Sequence, residues 1–224
     1  MTFSIVGHCP ESGRFGMAIS SSSPAVAARC AFARAGVGAV ATQNVTDPRL
    51  GPRTLDLMQA GATAAEALAI VARTGAHMDY RQVLAVGRSG QSAIYSGGNA
   101  LGLWAEAQST DAAAAGNLLG DAGVPERMIA RFTHSTGDLG DRLMAALRAG
   151  LDAGGEAGPV RSAGLLVVDR ESWPFVELRI DWSDDCPIAA LERAWAVYAP
   201  QAQDYVQRAL DPRSAPSYGV PGDE

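Results

Sequence analysis

The 224-residue chain is 47% hydrophobic and 19% charged and carries a formal net charge of −6. This fits one globular domain with a sizeable core, and the acidic balance argues against nucleic acid or an anionic membrane as partner, since both need a basic face. All 18 basic residues are arginine, which excludes lysine Schiff bases, a phosphate-loop lysine and a lysine general base.

Thr2 to Cys9 and Phe15 to Ser20 are apolar or small and flank the turn Pro10-Glu11-Ser12-Gly13, so they read as a hairpin. A turn centred on Glu11 and Ser12 places Ile5 near Ile19 and Thr2 near Ser21 or Ser22. The run Ser20 to Ser23 then either faces the chain start or is a polar loop ending at Pro24. His8 and Cys9 alternate across a strand and read as structural. Ala25 to Ala35 suits a short helical or irregular crossing, and Val37 to Gln43 a small-residue strand. Pro52 opens a helix over Arg53 to Gln59. Thr63 and Glu66 form the capping box of the next helix, which stops at Gly75.

Gln82 to Gly87 and Ser92 to Ser96 form a second hairpin. Leu101 to Ala115 reads as strand or loop, and Asn117 as a loop asparagine or one that reaches a cavity. Helices are expected from Pro125, with Met128, Ile129 and Phe132 buried, and from Leu139 to Leu151. Ser162 to Asp169 is a strand covered on both faces. Phe175 to Asp181 alternates and belongs near a sheet edge. Pro187 begins a further helix, and a last one covers Gln201 to Leu210, with aromatics for the core or a homo-oligomer contact. The expectation is a single domain over 1–210, with a loose tail over 211–224. Three hairpins separated by helix pairs point to an α+β fold, a four-layer αββα sandwich of mostly antiparallel sheets.

Cys9, Cys30 and Cys186 lack metal spacing and read as reduced thiols, so no metal and no cofactor are expected. The start of the chain lacks a signal-peptide pattern, and no stretch approaches the ~20 apolar residues of a membrane span. A cytoplasmic location without membrane contact is expected.

Met1 to Val6, Ala33 to Gln43, Gly51-Pro52-Arg53, Tyr80-Arg81-Gln82, Gly116 to Leu119 and Ser162 to Val168, in that order, resemble the family catalogued as domain of unknown function 1028. The likeness covers nearly the whole chain up to about the last helix. It implies a fold similar to N-terminal-nucleophile (Ntn) hydrolases, whose nucleophile begins the first strand. The chain departs from the family at Ser20 to Pro24 and at Gly120 to Gly123.

A threonine exposed by removal of Met1 carries its own base, because an α-amine with a reference pKa of about 7.7 to 8.0 accepts the hydroxyl proton. Thr2 is therefore the candidate nucleophile of an amidase acting on a small molecule with an amide, lactam or ureido bond. Candidates for oxyanion or substrate binding are Ser21, Ser22, Thr42, Asn44 and Asn117, with Arg53 and Arg161 for a substrate carboxylate. A homodimer or higher homo-oligomer is expected. The alternative, from another class, is a catalytically silent structural or ligand-binding protein with the same sandwich. No Gly-x-Ser-x-Gly elbow supports a Ser-His-Asp enzyme.

Overall fold

Alternation along Thr2–Cys9 (β1) sorts its side chains between two layers. Phe3 and Ile5 enter a core shared with helices, whereas Val6 joins a second core between two sheets. Ser4 takes the same side as Val6, and its Oγ donates to Gln43 Oε1 of the facing sheet at 2.6 Å. The structure, a computed structural model, describes residues 1–222.

After β1 come Arg14–Ser21 (β2), Ala27–Cys30 (α1), Ala31–Arg34 (β3), Gly38–Asn44 (β4), Leu50–Gln59 (α2) and Ala64–Thr74 (α3). Arg81–Gly87 (β5), Ser92–Ser96 (β6), Ala105–Ser109 (β7), Ala112–Asn117 (β8), Val124–His134 (α4) and Leu139–Asp152 (α5) follow. Ser162–Val168 (β9), Val176–Ile180 (β10), Pro187–Tyr198 (α6) and Ala202–Leu210 (α7) complete the chain's regular elements. One sheet has the order β10-β9-β2-β1-β8-β7 and the other β3-β4-β5-β6, with every pairing antiparallel. Helices α4, α5 and α6 cover the outer face of the six-stranded sheet, and α2 and α3 that of the four-stranded sheet. The fold is α+β, a four-layer αββα sandwich.

The capping box of α3 forms as expected, with Thr63 accepting from Glu66 N and Glu66 accepting from Thr63 N. The first hairpin pairs Thr2 with Ser21 and Ile5 with Ala18, one residue from the expected Ile19. Elsewhere the expectations need correction. Residues 25–35 hold only a four-residue helix and then an edge strand, β3. Helix α2 begins at Leu50, three residues before the expected start, because the Asp47 carboxylate accepts the amide of Arg49 at 3.1 Å and turns the chain ahead of Pro52. Residues 101–115 form most of the β7–β8 hairpin, so consecutive strands make five hairpins where three were expected. Of the expected tail, residues 211–222 include a return onto α7, where Arg208 donates to Pro216 O at 3.0 Å. Asp223 and Glu224 lie outside the described residues.

Gly7 allows α4 to sit directly on β1, since a Cβ there would stand 2.8 Å from the Phe132 ring. Phe3, with no exposed surface, fixes the end of β1 that carries Thr2. Phe3→Ala should cost about 3–5 kcal/mol of stability through lost transfer energy and the cavity left behind. Urea unfolding of the variant against the parent measures it.

Candidate active site

Thr2 sits at the edge-most position of a central strand, paired with Ser21 on one side and Asn117 on the other. Directly paired residues of antiparallel strands share a face, so all three side chains point toward the four-stranded sheet. Thr2 Oγ1 and Ser21 Oγ each donate to the carbonyl oxygen of Met1 at 2.5 Å, and the two hydroxyl oxygens lie 3.2 Å apart. Ser21 Oγ also accepts the amide of Ser23 at 3.0 Å. With Met1 in place Thr2 is 7% exposed.

A buried polar seam runs inward from this point. Gln43 Nε2 donates to Gln82 Oε1 at 2.7 Å and to the Ala115 carbonyl at 3.1 Å. Gln82 Nε2 donates to Ser96 Oγ at 3.0 Å, and Ser96 in turn donates to Glu106 at the surface at 2.8 Å. Asn117 Nδ2 reaches Gln82 Oε1 at 3.4 Å. Ser4, Gln43, Gln82 and Asn117 are all buried, and shared bonds of this kind hold each amide in one orientation.

Glu156 is a buried ionisable group of this region. It lies on the loop between α5 and β9, is 6% exposed, and both carboxylate oxygens accept the amide of Ser22, at 3.0 and 3.1 Å. Burial pushes its carboxyl up to about 7, against the opposing pull of the chain's α-amino group and of the Ser22 bonds.

The expected site residues do not all converge. Ser21 adjoins Thr2 through its side chain, Ser22 joins through its amide on Glu156, and Asn117 is the pairing partner of Thr2. Arg161 comes close through its backbone, its amide donating to Ser21 O at 2.8 Å. Its guanidinium is engaged elsewhere, on Asp184 O at 2.8 Å and over the Trp182 ring. Thr42 alternates with the inward-facing Gln43 and so occupies the opposite face of β4, where it donates to Asp47 O at 3.4 Å. Asn44 ties loops together, donating to Tyr80 O at 2.8 Å and accepting from Leu101 N at 3.2 Å. Arg53 is on α2 in the outer layer and donates to Thr74 of α3. The expectation that Thr42, Asn44 and Arg53 gather around Thr2 is corrected by these positions.

Sequence reading missed Ser4, Gln43, Gln82 and Glu156. The two glutamines had a signal, each being the polar member of an inward-facing set, Ala39-Ala41-Gln43 and Gln82-Leu84-Val86. Glu156, set among glycines and alanine, had none. A cavity of about 340 Å³ lies at the other end of the six-stranded sheet, lined by Arg14, Asp169, Trp173 and Phe175 among others, and shares no residue with this site. Among the described residues no three His, Cys, Asp or Glu side chains converge as a metal site. Nor is any helix long and apolar enough to cross a membrane.

A family model described as "Family of unknown function (DUF1028)" matches residues 2–191. A crystal structure of protein SPO2555 from Silicibacter pomeroyi, itself matched to that family model, is 30% identical, with a TM-score of 0.82 over 88% of this chain and 89% of that one. Anbu (ancestral beta-subunit) from Yersinia bercovieri superposes at 12% identity and a TM-score of 0.39, over 90% of this chain and 97% of that one. An Anbu mutant from Hyphomicrobium gives 13% and 0.41, over 90% and 96%. These last two overlaps are too loose to bear on the site. Among curated proteins none matches the chain.

A raised folded-state pKa adds stability that is fully present below the unfolded value and is lost as pH rises through the folded one. For Glu156 that window runs from the ordinary 4.5 to about 7. Glu156→Gln should therefore lose less stability than the parent between about pH 5 and about pH 8, by on the order of 1–3 kcal/mol. Denaturant unfolding of both proteins at the two pH values checks this.

Proposed function

The chain belongs to the DUF1028 family, and we propose that it hydrolyses a carbon–nitrogen bond of a small molecule, with Thr2 as an N-terminal nucleophile once Met1 is removed. The observation that carries this reading is the juxtaposition of Thr2 Oγ1, Ser21 Oγ and the Met1 carbonyl oxygen, at 2.5, 2.5 and 3.2 Å. Loss of Met1 takes that carbonyl away and leaves two hydroxyls and a new α-amine around one small space.

The amine takes the proton of Thr2 Oγ1 as the oxygen attacks an amide carbonyl, then returns it to the departing nitrogen. The acyl group stays on Oγ1 as an ester until water, activated by the same amine, releases it. Asn117, paired with Thr2 and held on Gln82, is the proposed donor to the oxyanion. Val45, Tyr80, Leu101, Leu103 and Trp104, exposed on loops at the same end, suit a substrate with an apolar body. A homo-oligomer belongs to the same reading, with Val197, Tyr205 and Leu210 of α6 and α7 as its exposed apolar surface.

One observation favours the alternative of a catalytically silent protein. With Met1 in place the Thr2 hydroxyl is closed in by the Met1 carbonyl and Ser21. Mass spectrometry of the mature protein separates the two, since the nucleophile reading requires a chain that starts at Thr2. In a screen of amides, lactams and ureido compounds, Thr2→Ala, which keeps a small residue after Met1, should abolish turnover. Retention of Met1 in active protein, or undiminished turnover in the variant, overturns the reading. On a substrate found this way, Asn117→Ala should lower kcat by about 10²–10³-fold, as removal of an oxyanion donor does elsewhere.

A further inference from the structure

The segment 155–157 is tied to both neighbours of β1. On the β8 side, Gly120 N donates to Gly155 O at 3.0 Å, Ala157 N donates to Leu118 O at 2.9 Å, and Leu119 bridges Glu156. On the β2 side, Ser22 N donates to both oxygens of Glu156. Because β8 and β2 flank β1, a segment held by both crosses in front of the first residue of β1. The path of Met1 agrees, since its side chain rests against Gly158, where an added Cβ would lie 3.0 Å from Met1 Cε. A carboxylate fixed in this position stands at the start of β1.

We propose that Glu156 is the positioning residue for the Thr2 α-amine, orienting it toward Oγ1 and stabilising the ammonium that forms when it takes the hydroxyl proton. This rests on the reading of Thr2 as nucleophile. In that step the proton passes from Oγ1 to nitrogen, the Oγ1–carbon bond forms, and the carbonyl electron pair moves to oxygen. Glu156 takes no part in bond making, and its negative charge makes the amine a stronger base. Among the described residues the neighbouring elements bring one further carboxylate, the exposed Asp121 beside Gly154. Ser21 and Ser22 come from β2 and its extension, Leu118, Leu119 and Gly120 from the segment after β8, and Gly155 and Ala157 from the loop itself. The Arg161 guanidinium is turned onto Asp184 and Trp182. In the structure, which keeps Met1, the charged partner that acts on Glu156 is the Met1 α-amino group, one residue ahead of the Thr2 nitrogen.

The sequence makes the test direct. Without lysine, the α-amine is the one primary aliphatic amine in the protein. Acetic anhydride labelling at a series of pH values, followed by hydroxylamine to strip acetyl esters and thioesters and read on the N-terminal peptide by mass spectrometry, therefore titrates that amine. The mass of the same peptide shows whether Thr2 is first. In the Thr2-first protein, Glu156→Gln keeps an oxygen for the Ser22 amide but removes the charge, and should weaken proton binding by the amine by about tenfold, roughly one pKa unit lower. Glu156→Asp should recover part of that loss, and serves in place of the glutamine variant if that one fails to fold. An amine in folded Glu156→Gln, or in the Asp variant if it stands in, that titrates like the parent overturns this inference and leaves the nucleophile reading intact. Retention of Met1 overturns the nucleophile reading, and this inference with it.

Discussion

The pairing of β1 with β2 and β8 is the constraint on which the candidate site depends. Side chains alternate with a period of two, so a slip of one residue would turn Thr2 and Ser4 into the apolar layer under α4 and α5 and bring Phe3 against the glutamines. The register is held by shape more than by polarity. Phe3 and Ile5 fill the helix-side core, and Gly7 leaves room for Phe132 that no neighbouring residue of the strand would leave. A core built for packing thus sets the direction of a hydroxyl that contributes nothing to that packing.

The space between the sheets works differently. Ala39, Ala41, Ala113 and Ala115 are small, which lets the sheets approach closely. At the Thr2 end that close approach brings backbone carbonyls of β8 within reach of amide side chains from β4 and β5. Gln43 spends its donors on Gln82 and Ala115 O and accepts from Ser4, so burial leaves little of it unpaired. Groups locked in this way do not have to reorganise when charge develops nearby, which is the property asked of an oxyanion donor, the role proposed for Asn117.

Much of this fold was legible in the sequence because its signals are local. The Pro10 to Gly13 turn, the Thr63–Glu66 box and the alternation of Val176 to Ile180 each depend on a few adjacent residues. What was not legible depends on the partner. Strand β8 reads Ala-Ala-Ala-Ala-Gly-Asn, without β-branched residues, and is a strand because it is enclosed by β1, β7, α4 and the facing sheet. The side of β4 that faces inward cannot be known without the facing sheet, and so the sequence points to Thr42 where the structure has Gln43. Glu156 is brought to the strand start by loop-to-loop bonds across more than 30 positions of sequence, from Leu118 to Ala157.

The chemistry of a lysine-free chain places unusual weight on the backbone at this end of the sandwich. Four of the five non-glycine residues with positive φ among the described residues lie here, Ala25, His77 and Leu118 on loops and Asn44 at the end of β4. Such conformations cost of order 1 kcal/mol or more each and persist only where surroundings impose them. Leu118, at φ 50°, turns the chain directly after Asn117 and presents the carbonyl that holds Ala157. The strained turn is therefore what carries the Glu156 segment across the start of β1. The same closure constrains timing. Met1 is half-buried and its carbonyl holds two hydroxyls, so the removal that the proposed mechanism requires is expected before Thr2 pairs with Ser21 and Asn117. A chain that folds first would keep Met1 half-buried with its carbonyl on two hydroxyls, whereas one trimmed first would fold with its amine at the start of β1, where the proposal sets Glu156 beside it.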